Sequence, residues 1–254
     1  MSSTLMDPTA PPAEPADPGM SILERAVAVF VRPSQAWSGL RHQRQFWFPM
    51  LILFLGVTVF TFVLWERAYL PDASLGWRQA VDNGQMTQEQ VEKIETNMSG
   101  IVPKTVSAIS YGLIFAVFTL IGALGTWFGV GFILGTRLSY RLALEVTSWS
   151  GLVQVPALIV TGILAWSHES VKAVHLGLAV LLPDPETPNK MLMAAKVFLD
   201  AIGPFAIWAL VVSILGASAL SGAPRKSVAW VCIALTLVFA AFGAAMAAML
   251  GPGR

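Results

Sequence analysis

The chain contains 254 residues, of which 55% are hydrophobic and only 12% are charged, and its formal net charge is +1. A soluble globular domain carries roughly 25% charged residues, so this chain has too few polar groups to cover a water-facing surface. The near-zero net charge excludes the basic field that attracts nucleic acid, and the single cysteine, Cys232, has no intrachain partner for a disulfide bond. The composition therefore predicts an integral membrane protein.

The first 45 residues precede any apolar run long enough to cross a membrane. Residues 1–19 are rich in Pro, Ala and acidic side chains, which predicts a disordered tail rather than a signal peptide. Residues 20–45 form an amphipathic segment that opens with a capping box at Ser21 and Glu24, and its apolar side comprises Ile22, Leu23, Ala26, Val27 and Phe30. Two placements are open: in the membrane plane with its arginines toward anionic lipid, or packed against the ends of a helix bundle.

Five apolar segments are long enough to cross about 30 Å of hydrocarbon as helices, since about 20 residues suffice. Helices satisfy every backbone group within the segment, so the predicted fold is an all-α, polytopic membrane bundle over residues 46–250. A second capping box, at Thr87 and Gln90, predicts a short helix at 87–99 in the first outer loop. The predicted spans are residues 46–65, 106–134, 142–166, 197–220 and 228–250.

The orientation follows from the basic residues in the short loops. Arg137 and Arg141 lie between the second and third spans, and Arg225 and Lys226 lie between the fourth and fifth. Short loops rich in Lys and Arg stay in the cytoplasm, so we expect the N-terminus inside and the C-terminus outside, in a bacterial plasma (inner) membrane. Arg137, Tyr140 and Arg141 are candidate contacts of the cytoplasmic loop.

Three polar residues in the spans are candidates for function: Glu145, Gln154 and Asp200. A proton-coupled transporter would use such carboxylates as a relay. In this topology, however, Glu145 and Asp200 lie near opposite faces, on the order of 20 Å apart. Each acid also follows a basic residue by four positions, Arg141 and Lys196 respectively, so a structural role in a local ion pair is favoured over transport.

Helix breaks and small residues define the expected packing. Pro156 and Pro204 are expected to break backbone hydrogen bonds within spans, and a broken helix is one mark of a substrate site. Gly125 and Gly129 let backbones approach closely, and we assign them, with Trp208, to packing within the bundle. The alternative is that these residues form an interface between two copies of the chain, which would then be a homo-oligomer.

Three features resemble the bacterial branch of the Yip family, the Ypt/Rab-interacting-protein membrane domain. They are Phe30-Val-Arg-Pro33 with Trp37 before the first span, the stretch Gly135-Thr-Arg-Leu-Ser-Tyr-Arg141, and Asp200 with Trp208 in the fourth span, followed by a small polar loop. The resemblance implies a helical membrane bundle. Eukaryotic members act in vesicle trafficking with small GTPases, but GTPase binding is not carried over to this chain.

No nucleotide, hydrolase or metal motif is present, and the three histidines, His42, His168 and His175, are expected on the surface outside the spans. We therefore expect no enzyme activity, catalytic residue, cofactor or metal. The predicted role is membrane organisation or partner binding, with the lipid bilayer and a membrane or cytoplasmic protein as partners. The alternative is a small-solute or proton-coupled transporter, which requires a polar cavity near the midplane lined by Gln154, Ser150 or Thr147.

Overall fold

The computed structural model describes residues 19–183 and 189–250. Nearly all of the predicted tail at 1–19, and most of the Pro-rich connector at 182–188, lie outside the described residues. The described chain is helical and contains no strand. Its α-helices are α1 (Ile22–Val31), α2 (Trp47–Leu64), α3 (Leu70–Asp82), α4 (Gln88–Met98), α5 (Ile101–Thr126), α6 (Tyr140–Gly151), α7 (Gln154–His168), α8 (Lys190–Asp200), α9 (Pro204–Ser221) and α10 (Arg225–Leu250).

Five helical stretches are long and apolar enough to cross a membrane, which confirms the predicted fold class. Two of them contain π-helical turns: Trp65–Tyr69 lies between α2 and α3, and Trp127–Ile133 ends the stretch that begins with α5. A third is divided into α6 and α7. The stretches are Trp47–Asp82, Ile101–Ile133, Tyr140–His168, Pro204–Ser221 and Arg225–Met249.

Two span boundaries differ from the sequence-based prediction by more than five residues. The first helical stretch continues past Trp65 to Asp82, because the charged residues after Trp65 continue the helix as α3 instead of ending it. The fourth begins at Pro204, not at 197, because Gly203 is extended and separates α8 from α9. Pro204 therefore starts a helix, where its missing N–H costs nothing, and it does not break one. Asp200 ends the separate helix α8.

The two ends of the bundle differ in what covers them. The end that carries residues 19–45, the 134–139 turn and the 222–224 turn is called the basic end below. The other end, called the loop end, carries α3, α4 and residues 169–183. The main core lies toward the basic end around Trp149, whose ring stacks on Phe48 with centroids 6.1 Å apart.

Residues 19–45 pack into the basic end. Trp37 and Leu40 are buried in the main core, and the ring of Trp37 lies so close to Gly216 of α9 that a Cβ there would come within 2.5 Å of it. The segment thus packs against the bundle, one of the two placements left open by the sequence, and only its outer face can contact lipid. The buried face of α1 is not the predicted one, because Arg25, Ala28 and Val29 are buried while Leu23, Val27 and Val31 are 72%, 62% and 68% exposed.

Candidate functional sites: a buried polar cluster and a midplane cavity

Glu145 is fully buried in α6 and lies at the centre of a polar cluster at the basic end. One carboxylate oxygen accepts a hydrogen bond from the backbone N–H of Gln45 at 2.9 Å, and the other accepts one from the indole N–H of Trp149 at 3.2 Å. The guanidinium of Arg141 approaches the carboxylate to 3.9 Å. The expected Arg141 pair therefore exists, but shorter contacts come from Gln45 and Trp149.

Arg25 is the second buried charge of this cluster. Its guanidinium lies 5.8 Å from the centre of the Trp149 ring and donates to Gln45 Oε1 at 2.8 Å, Ser38 O at 2.9 Å and Gln43 Oε1 at 3.2 Å, and also to the carbonyl of Ala36. Burial lowers the pKa of Arg25, and the nearby Glu145 carboxylate acts in the opposite direction. Arg25 thus fixes the conformation of residues 36–45.

The remaining basic-end candidates differ in their contacts. Arg141 donates to the backbone carbonyls of Arg41 and Gln43 at 2.7 and 2.9 Å, so its main role is to hold residues 40–43. The hydroxyl of Tyr140 donates to Leu120 O at 3.3 Å, whereas Arg137 is exposed. Because the buried charges are engaged in hydrogen bonds, the cluster joins residues 19–45 to the third span and offers no open reactive group. Sequence reasoning missed Arg25, whose only signal was a basic residue next to Glu24 on a mostly apolar helix.

Asp200 has a different partner from the one expected. Its carboxylate lies 2.7 Å from His175 Nδ1 and accepts from the backbone N–H of Gly177 at 3.4 Å, so the expectation that His175 is a surface residue was wrong. Gly177 permits this contact, because a Cβ there would lie 2.7 Å from the backbone of Asp200. The pair ties the loop at 174–177 to the junction between α8 and α9.

A cavity of about 390 Å³ lies beside this pair, where four irregular segments meet. The π-turn contributes Tyr69 to its wall, and the break between α6 and α7 contributes Gln154. The break before α9 contributes Asp200 and Gly203, and the loop at 174–177 contributes Val174 and Leu176. Gln154 also lines a second cavity of about 470 Å³, together with Thr126, Thr147, Ser213 and Thr236. Gln154 follows Tyr140 by 14 residues, about 21 Å along the helix, and so lies near the middle of its span.

The packing candidates lie where small residues are needed. A Cβ on Gly129 would come within 2.4 Å of Val231, and one on Gly125 within 3.4 Å of Leu235, so both glycines face α10. Pro156 lies in the first turn of α7, directly after the break, and Trp208 lies on the exposed side of α9. Within the described residues, no group of three His, Cys, Asp or Glu side chains is placed to hold a metal ion.

Comparison with known proteins gives one match. The family model described as the Yip1 domain matches residues 27–247, which is most of the chain and includes the two cavities and all of the polar cluster except Arg25. No curated protein and no solved structure matches. The chain belongs to the Yip1 domain family, and it is a membrane protein with five candidate spans.

Proposed function

We propose that this protein organises its membrane by inserting residues 19–45 as a wedge into one leaflet, at the basic end of the bundle. The observation that carries the proposal is the inverted packing of α1. The helix buries a charged residue, Arg25, against the bundle and directs Leu23, Val27 and Val31 outward. Three apolar side chains spaced by four residues form one stripe, as in a helix that lies in a lipid interface.

The depth of the wedge supports this placement. The third span, Tyr140–His168, is about 43 Å long, which matches a bilayer including its headgroups. Arg25 contacts Trp149, nine residues or about 13 Å beyond the start of α6, and Trp37 contacts Gly216, about 8 Å inside the end of α9. The outward stripe of α1 is therefore placed near the boundary between headgroups and acyl chains.

Charge supports both the wedge and its orientation. The exposed charges of the basic end are Glu24 and six cationic side chains, namely Arg32, Arg41, Arg44, Arg137, Arg225 and Lys226. The described residues of the loop end, at 66–105, 168–183 and 189–200, carry seven basic and eight acidic side chains, whose charges nearly cancel. We place the basic end at the cytoplasmic face of a bacterial plasma membrane, where basic side chains are retained and meet anionic lipid. The proposal assigns the chain no enzymatic chemistry.

Reconstitution into vesicles of phosphatidylcholine and phosphatidylglycerol tests the role. At equal protein density, the native chain is expected to yield smaller or tubulated vesicles, and the triple variant L23S/V27S/V31S is expected to leave them unchanged. The matched control L75S/V180S/L181S removes three exposed apolar side chains from the loop end and should behave like the native chain. Identical vesicles with the native chain and the stripe variant would contradict the role. A stripe that proves accessible to water would instead assign it to a protein partner.

Transport of a small solute is the second candidate function, and the midplane cavities favour it. Gln154 lines two cavities whose mostly apolar walls include polar side chains, and the transport hypothesis requires such groups near the midplane. The spans that flank the first cavity are discontinuous, which is common at transporter substrate sites. Flux of solute into proteoliposomes, compared between the native chain and Q154L, tests this candidate.

A further inference from the structure

We propose that the cavity at Tyr69, Gln154 and Thr161 is a hydrated binding site for a small, uncharged solute that both donates and accepts hydrogen bonds, such as a polyol or an amide. The site is entered from the loop end. Its volume of about 390 Å³ lies within the range of small-molecule pockets, about 300–1,000 Å³. The site supplies a ligand class for the transport function proposed above, and its role in transport rests on that proposal. Binding to the site can be tested separately from transport.

The free hydrogen-bonding groups define the ligand. Within the described chain, the amide of Gln154 and the hydroxyl of Thr161 make no hydrogen bond to protein, and both line the cavity. An amide offers both donors and an acceptor, and a hydroxyl does the same. Polar groups inside a membrane are costly unless they are paired, so a solute or water that pairs with them is stabilised there.

The charges exclude an ion as the ligand. Among the described residues that line the two cavities, Asp200 is the only acidic or basic one, and its carboxylate is occupied by His175 at 2.7 Å. An anion would therefore meet only a carboxylate, and a cation would have to displace His175 from it, so either ion enters this membrane cavity at an energetic cost. An uncharged solute avoids this cost.

The route by which a solute enters the cavity follows from the residues that close the cavity at each end. Toward the basic end, the hydroxyls of Ser213 and Ser150 are hydrogen-bonded to each other at 2.8 Å, and the buried cluster of Glu145, Trp149 and Arg25 lies beyond them. Toward the loop end, the wall is the short loop at Val174–Leu176, held by the His175–Asp200 contact. Solute therefore enters beside this loop.

Cysteine reactivity in proteoliposomes tests the site. In a C232A background, T161C and Q154C are expected to react with hydroxyethyl methanethiosulfonate applied at the loop end, with glutathione trapped inside to remove reagent that crosses the lipid. The control Q85C, in an exposed loop, should react fastest, and S110C, on an exposed face of α5, should scarcely react. Glycerol or urea at a concentration equal to its Kd should slow T161C about twofold, and Q154L should abolish that protection.

Each outcome decides one part of the proposal. If T161C and Q154C are both as slow as S110C, the hydrated cavity is overturned. If they react but neither glycerol nor urea protects T161C, the solute class is overturned. Protection without flux would uphold the binding site and contradict transport.

Discussion

The carboxylate of Glu145 accepts a hydrogen bond at 2.9 Å from the backbone N–H of Gln45, a residue 100 positions earlier in the chain. This contact joins the third span to the segment that precedes the first. Arg25 donates to the side chain of the same Gln45, so one glutamine connects the two buried charges. The basic end is thereby organised around an acid and a base that both lie inside the protein.

Replacing Glu145 should destabilise the protein more than any exposed acid. E145L leaves the N–H groups of Gln45 and Trp149 without an acceptor, and we expect a loss of about 2–5 kcal/mol in the free energy of unfolding. E145Q keeps an acceptor and should lose less. The measurement is thermal unfolding in detergent. The control is E66Q, which removes an exposed ion pair with Lys104 and should cost less than about 1 kcal/mol.

Replacing Arg25 should release the segment that it holds. R25M leaves the carbonyls of Ala36 and Ser38 without their donor, so trypsin should cleave after Arg41 faster than in the native chain. R44M, at an exposed arginine of the same segment, should leave cleavage after Arg41 unchanged. Equal cleavage of R25M and the native chain would show that Arg25 does not hold residues 36–45.

A methyl group at Gly216 should disturb the packing of Trp37. The added Cβ would lie 2.5 Å from a buried ring, so G216A should lower stability by about 1–3 kcal/mol. At Gly56 the nearest atom, on Leu158, is 3.7 Å away, so G56A is the matched substitution that should be tolerated. Fluorescence-detected thermal unfolding distinguishes the two, and equal midpoints would contradict the contact.

The carboxylate of Asp72 should control the loop after α7. It accepts hydrogen bonds from the hydroxyl of Ser170 and from the backbone N–H groups of Val171 and Lys172, at 2.6–3.0 Å. D72A should therefore expose Lys172 to trypsin, as seen by mass spectrometry of the fragments. D82A, at an exposed acid of the same helix, should leave the cleavage rate as it is.

The spans could be predicted from sequence because hydropathy is a local property. Their contacts could not, because they depend on residues far apart in the chain. The apolar side of α1, with Leu23 and Val27, would be buried in a water-soluble protein, whereas in the proposed wedge lipid accepts these side chains. Arg25 is buried because residues 20–45 supply its acceptors.

The cavity, too, could be predicted only in part from the sequence. Gln154 beside Pro156 indicated a polar site near the midplane, and the structure has cavities there. The place of Tyr69 in its wall and of His175 beside it could not be predicted, because the π-turn and the approach of Gly177 to Asp200 are tertiary features without a sequence period. Lys196 was expected to pair with Asp200 from helical spacing alone, but the carboxylate contacts His175 and Gly177 instead.

The most direct test of the wedge is the environment of Val27 in a lipid bilayer. Spin labels at V27C and E24C, in a C232A background, report collisions with oxygen, which concentrates in lipid, and with a nickel complex, which stays in water. We predict that the label at 27 collides mainly with oxygen and the label at 24 mainly with nickel. If the label at 27 meets nickel as readily as the label at 24 does, α1 lies in water and the wedge does not exist.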